Sequence, residues 1–223
     1  MFIHKDINKN FFKKWTYDMA YILGFLFADG SVSVTKRGGY YFSFHSADEK
    51  LLLKIRELMG SNHKISKRNS RSGNVFRLQI GSKEMVKDLY VLKLKETKTK
   101  RMKFPNLPQK YLADFIRGYF DGDGNVWMGF MHKERKIQTM TLQVAFTSAS
   151  KEFLIDLCKI LKSLGIEGGS IFGIKNKNCS RLLFSLKDSL KLYKIMYNKT
   201  CKDFCLERKK IVFERYIEHS MRP

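Results

Sequence analysis

The chain has 223 residues, 43% of them hydrophobic, which suffices for one large domain or two small ones. Its 43 Lys and Arg outweigh 21 Asp and Glu, and a formal charge of +22 repels itself unless a polyanion takes up the field, so nucleic acid ranks ahead of an anionic membrane surface or a small-molecule substrate. No apolar run is long enough to span a membrane, the start MFIHKDINKNFFKKW lacks the unbroken apolar stretch of a signal peptide, and Cys158, Cys179, Cys201 and Cys205 form no CxxC pair, so the expectation is a soluble intracellular protein with reduced thiols, in a bacterial cytoplasm or an organelle, with no membrane partner.

In chain order, MAYILGFLFAD (19–29) reads as a buried helix, ended by Gly30 in the left-handed conformation that usually stops one. SVSVTKR (31–37) and YYFSFHS (40–46) alternate as strands, ADEKLLLKIRELMG (47–60) has helical spacing, HKISKR (63–68) and VFRLQIG (75–81) are strands again, and SKEMVKDLYVL (82–92) is a helix. KETKTKRMKFPNLPQ (95–109) holds two of the three prolines and reads as an extended basic connector. The pattern then returns: helix YLADFIRGYFDGD (111–123), strands NVWMGFM and IQTMTLQVAFTS, a helix from 150, strands GGSIFGI and SRLLFSL, a helix from 187 and a last one through CLERKKIVFERYIEH. The fold class is α+β, an αββαββα order used twice, with halves at 1–103 and 104–223.

The repetition is visible residue by residue. GFLFADGSV (24–32) comes back as GYFDGDGNV (118–126), FHSADEKLLLKIRELMG (44–60) as FTSASKEFLIDLCKILKSLG (146–165), and FRLQIGSKEMVKDLY (76–90) as SRLLFSLKDSLKLY (180–193). Two copies of a long unit imply an internal duplication related by a pseudo-twofold axis rather than a solenoid.

Asp29 and Asp123 end the two apolar helices, at the pole where unpaired carbonyls already carry partial negative charge. Gly24 and Ala28, like Gly118 and Gly122, are four apart and leave a strip with almost no side chain, along which two helices can touch and bring both carboxylates together. Close carboxylates at two such ends either take up protons or are neutralised by divalent cations; oxygen-only ligands favour Mg²⁺, with Mn²⁺ or Ca²⁺ as alternative occupants. The plain alternative is Asp-Gly turn chemistry, which two matched copies on glycine-bearing helices disfavour.

ILGFLFADG (22–30) and IRGYFDGDG (116–124) resemble the paired signatures of the LAGLIDADG homing endonucleases, and the resemblance covers essentially the whole chain. It implies a single-chain, monomeric, two-motif enzyme whose signature helices form the interface and the metal site, while two four-stranded antiparallel sheets saddle the DNA. It further implies double-strand cutting of a long, nearly asymmetric target, one phosphodiester per strand, staggered across the minor groove. By the same resemblance Asp29 and Asp123 are the metal-binding acids, Ala28 and Gly122 offer carbonyl oxygens, and a basic residue stands near each site: Lys98, with Lys95 as fallback, and Lys199 ahead of Lys202. One departure is that the sixth signature position is Asp121 in the second copy and Phe27 in the first.

Strand alternation assigns the readers of such a DNA. Thr139, Thr141, Gln143 and Ala145 turn outward, as do Arg77 with Gln79 and Arg181 with Ser185; Tyr41, Ser43, His45, Ser31, Ser33 and Arg37 are further candidates. Arg suits guanine and Gln adenine in a major groove, and Lys64, Lys67, Arg68 and Arg71, in an acid-free stretch, suit phosphates. Ser46 and Ser148 stand either to orient solvent or to cap the helices that follow. Competing readings are an RNA maturase, a DNA-binding regulator, which would be expected to have lost an acid, and an intein-embedded endonuclease, disfavoured as a complete splicing unit because the chain ends HSMRP rather than His-Asn.

Overall fold

The computed structural model describes residues 5–70, 73–96, 102–131, 138–197 and 204–221. Helix α1 (Tyr17–Asp29) starts where the Thr16 side chain accepts the Met19 N–H at 3.0 Å, and its residues from Met19 through Phe27 are all buried. It is apolar on every side, as a helix surrounded by protein must be. Strands β1 (Gly30–Val34) and β2 (Tyr40–Ser46) form a hairpin, α2 (Glu49–Leu58) follows, then β3 (Ile65–Ser70), β4 (Gly73–Gly81) and α3 (Lys83–Val91).

The four strands form an antiparallel sheet in the order β1-β2-β4-β3, with Phe42 paired to Val32 and Ile80, and Phe44 to Gly30 and Leu78. Period-two alternation puts Val32, Phe42, Phe44, Leu78 and Ile80 on one face, where they are buried with Leu52 and Ile55 of α2 and Met85, Val86 and Leu89 of α3. Each fully buried phenylalanine there contributes about 2 to 3 kcal/mol.

A 3₁₀ turn, Gln109–Tyr111, leads into α4 (Leu112–Asp123). After it come β5 (Gly124–Met131), β6 (Thr139–Ser148), α5 (Lys151–Ser163), β7 (Ser170–Gly173), β8 (Ser180–Phe184), α6 (Leu186–Met196) and α7 (Glu207–Ser220). The second sheet, β5-β6-β8-β7, has the same antiparallel order, and its inner face buries Leu142, Val144, Phe146, Leu182 and Phe184 with Phe153 and Leu157 of α5, Leu192 of α6 and Phe213 of α7. The architecture is therefore α+β with two four-stranded antiparallel sheets. Compact packing groups Met1–Lys98 with Pro105–Gly122, and Thr99–Phe104 with Asp123–Pro223. Nearly all of α4 thus packs with the first sheet's elements, and the Tyr111 hydroxyl donates to the Trp15 carbonyl at 2.9 Å.

Three local expectations need correction. Gly30 is extended (φ −100°, ψ 168°), not left-handed; glycine is needed because a Cβ there would lie 2.3 Å from Leu26 Cδ1 and 2.4 Å from the Leu26 carbonyl oxygen. SVSVTKR leaves the sheet after Val34, where Thr35 to Gly39 close the hairpin. SRLLFSL is not all strand: Ser185 occupies the N-cap position of α6 and Leu186 begins that helix.

Candidate functional site

Within the first packing unit α1 and α4 approach backbone to backbone. A Cβ on Gly24 would stand 2.1 Å from the Phe115 carbonyl oxygen, and one on Gly118 would stand 2.0 Å from that of Tyr21. These contacts are reciprocal, since Gly24 matches Gly118 and Tyr21 matches Phe115 in the aligned signatures. Further along, a Cβ on Gly122 would meet the Ala28 methyl at 2.3 Å and lie 3.3 Å from Asp29 Oδ2. Asp29 is the last residue of α1 and is partly exposed; Asp123 is the last residue of α4, also partly exposed. Neither helix has a basic residue in its last turn to offset its negative pole.

In the second unit a basic group reaches that pole from far along the chain. Lys209 of α7 is buried, and its Nζ donates at 2.6 Å to the carbonyl oxygen of Gly124, the residue following Asp123. Nothing local in ERKKIVFERY singles out Lys209 from Lys210, so sequence reading missed it; only the packing of α7 on β5 brings it there.

The α1–α4 contact also carries polar groups. The Tyr21 hydroxyl donates to Asp121 Oδ2 at 2.6 Å, and Asp114 pairs with Arg117 at 2.8 Å, with the Arg117 guanidinium 5.2 Å from the Tyr21 ring centre. Burial pushes the Asp114 carboxyl above the usual carboxylate range, and the Arg117 charge pulls it back only in part. An ion pair of this kind is costly to break on one side, because the remaining charge stays buried.

The outer face of the first sheet gathers the anticipated readers. Register places Ser31, Ser43 and Gln79 in one cross-strand row, Ser33 and Tyr41 in a second, and His45, Arg77 and Ser66 in a third. His45, Ser66, Lys67, Arg68, Val75 and Arg77 line a concavity of about 620 Å³. Arg37 lies in the β1–β2 turn and Lys64 just before β3, both exposed. One candidate differs from expectation: Ser43 is 2% exposed, bonded to Ser31 Oγ at 2.9 Å and His45 Nε2 at 3.3 Å. Lys67 is exposed, with its ammonium 5.9 Å from the Phe76 ring centre.

On the second sheet Thr139, Thr141 and Gln143 lie on the outer face of β6, Arg181 pairs with Thr147 and Phe172, and Ser185 is exposed. Ala145 shares that face but is 3% exposed and so offers nothing outward. Arg77 and Arg181 hold matching positions in β4 and β8, and each has a buried Nε without a hydrogen-bond partner among the described residues. Two outward aromatics were missed. Trp127 is 43% exposed and lies over Gly129, where a Cβ would touch its ring at 2.5 Å; Phe172 is 44% exposed. Extending the alternation rule to NVWMGFM and GGSIFGI would have found both.

Ser46 and Ser148 are not the helix caps. Each accepts a backbone N–H two residues on, from Asp48 at 2.9 Å and Ser150 at 3.1 Å, and it is Asp48 and Ser150 that cap α2 and α5. Lys98, Lys199, Lys202 and Arg71 lie outside the described residues, while Lys95 is exposed. Cys158 and Cys179 are free thiols, and Cys201 lies outside the described residues. Among the described residues no three His, Cys, Asp or Glu cluster as a metal site, and no helix is long and apolar enough to cross a membrane.

The LAGLIDADG-like domain profile matches residues 16–91 and again 110–194. The DNA-directed RNA polymerase subunit Rpo1C of Methanocaldococcus jannaschii is 28% identical over 208 residues, covering 92% of this chain and 21% of that protein. The chain spans between 10% and 21% of the length of the first curated relatives it matches. Among solved structures, the homing endonuclease I-WcaI bound to its DNA recognition sequence superposes with a TM-score of 0.61 at 20% identity, over 91% of this chain and 90% of that one. I-SmaMI bound to an uncleaved DNA target in the presence of calcium ions gives 0.55 at 15% identity, over 94% and 95%.

Proposed function

Since the chain belongs to the LAGLIDADG-like domain family, in two copies, we propose that it is a site-specific endonuclease of double-stranded DNA, using Asp29 and Asp123 to hold divalent metal and cutting one phosphodiester per strand. The observation that carries this reading is the reciprocal glycine contact of α1 and α4, which is so close at Gly122, the neighbour of Asp123, that a Cβ there would lie 3.3 Å from Asp29 Oδ2. The donor set fits a hard cation: two carboxylates with the carbonyls of Ala28 and Gly122 are all oxygen, which suits Mg²⁺, an ion that keeps several waters and takes phosphate oxygens. Mn²⁺ would substitute, and Ca²⁺, present with the similar I-SmaMI, would occupy the site without turnover. Bound metal supplies charge compensation at phosphorus and at the leaving oxygen and lowers the pKa of water.

The chain's own residues do the rest. Asp29 and Asp123 would hold the cation that offsets the charge of the reacting phosphates, and Lys209 holds the Gly124 backbone so that Asp123 keeps its aim. Lys98 and Lys199 are the proposed groups that polarise water or phosphate. Arg77, Gln79, His45, Ser33, Thr139, Thr141, Gln143, Arg181 and Ser185 face the bases, and Arg37, Lys64 and Arg68 the phosphates, of a long, nearly asymmetric site bound by a monomer. A related domain forming about a fifth of an RNA polymerase subunit supports a module carried by an intron or another mobile element. Exposed Trp127 and Phe172 favour one second reading, an RNA maturase, because aromatic faces stack unpaired bases.

The test is cleavage of a plasmid library carrying randomised targets in Mg²⁺. The wild type is expected to linearise a subset of plasmids, Asp29→Asn or Asp123→Asn to abolish linearisation, and binding of the selected target to survive in EDTA. Binding of structured RNA with no nick in any DNA would replace this reading with the maturase.

A further inference from the structure

The α1–α4 contact is symmetric in its backbone and asymmetric in its side chains. In the aligned signatures Tyr21 corresponds to Phe115 and Phe27 to Asp121. A symmetric pair would make the 21–121 and 115–27 contacts alike. Instead the first is a buried hydrogen bond, Tyr21 hydroxyl to Asp121 Oδ2 at 2.6 Å, and the second is an edge-on ring pair, Phe27 against Phe115 at 5.4 Å and 71°. Tyr21 is 0% exposed and Asp121 is 1% exposed, so water cannot stand in for either partner.

We infer that this split contact is a pairing code: it makes α1 select α4 over a second copy of α1, and α4 select α1 over a second copy of α4, so that two molecules do not associate through like signature helices. The glycine contacts cannot make the choice, because Gly24 and Gly118 offer the same bare backbone in all three pairings. The side chains can. An α1–α1 pair of the same geometry sets the Tyr21 hydroxyl against the Phe27 ring, twice. An α4–α4 pair sets the Asp121 carboxylate against the Phe115 ring, twice. Both bury polar groups opposite carbon, and only the mixed pair gives the hydroxyl an acceptor and the carboxylate a donor while matching ring to ring. A duplicated chain needs such a code, since the likeness of its two signature helices would otherwise let either one pair with its own copy in a second molecule. The inference concerns assembly and stands whether or not DNA is the substrate.

Refolding from denaturant over a range of protein concentrations, followed by size-exclusion chromatography with light scattering, tests it on the full chain. Wild type is expected to return as monomer throughout. Tyr21→Phe, which removes one oxygen, strips the mixed pair of its hydrogen bond and relieves the α1–α1 pair of its buried hydroxyl, so the dimer fraction at the highest concentration should rise about tenfold or more. Tyr21→Phe with Asp121→Phe makes the three pairings equivalent and should dimerise further. Equal dimer fractions in wild type and Tyr21→Phe overturn the inference, and that single comparison decides the matter where the double variant does not refold.

Discussion

At the scale of single residues, a carboxylate at a helix C-terminus poses an electrostatic problem, and at the second signature helix a cation from a distant element stands next to it. Beside Asp123, Lys209 places a buried ammonium on the Gly124 carbonyl. The lysine is 85 positions away and sits on another element, which no local pattern encodes. If Lys209 positions Asp123, replacing it by Met should slow cutting of one strand at least tenfold more than the other. Nicked circles would then accumulate from supercoiled plasmid, while target binding in EDTA stays at the wild-type level. Equal slowing of both strands would mean that Lys209 serves stability alone, worth about 1 to 3 kcal/mol through its hydrogen bond. Ser46 and Ser148 teach the converse lesson: their repetition marked them correctly as a pair, but only the hydrogen-bond geometry reveals that they shape the turns before α2 and α5 rather than cap those helices.

At the scale of elements, the glycine strips set how closely α1 and α4 can lie. An added methyl at Gly118 would sit 2.0 Å from the Tyr21 carbonyl oxygen, and because the obstacle is backbone the helices must separate. Gly118→Ala should therefore cost about 3 kcal/mol in chemical denaturation. Gly173→Ala, where nothing lies within 4 Å, should change stability by no more than about 0.5 kcal/mol. Comparable losses at both positions would show that the helices do not need this approach. The glycines at four-residue spacing were legible as a contact strip because helical geometry alone puts them on one face. Gly30 was misread because the Asp-Gly pattern resembles a left-handed stop; its need for glycine comes instead from the Leu26 side chain and carbonyl that crowd its Cβ position, a contact that spacing does not report.

At the scale of the whole molecule, a charge of +22 makes affinity for a polyanion depend on released counterions. Neutralising 6 to 10 phosphates should lower target affinity by about a thousandfold or more between 50 and 200 mM salt. Titration of a labelled target at several salt concentrations checks this, and a nearly flat dependence would deny the basic surface its role. The outward rows of Ser33, His45, Arg77 and Gln79 on one sheet and Thr139, Thr141, Gln143 and Arg181 on the other followed from alternation, because a strand's period of two separates its faces without knowledge of its neighbours.

The sequence by itself determined the duplication, the α+β order of elements, the acid that ends each signature helix and the two faces of each strand, all of which rest on local period or on the likeness of one half to the other. Tertiary structure alone decided that Tyr21 meets Asp121 across 100 positions, that Phe27 meets Phe115, and that Lys209 rather than Lys210 reaches Gly124. Such contacts depend on where packed elements come to rest in space, and nothing in the spacing of neighbouring residues carries that information.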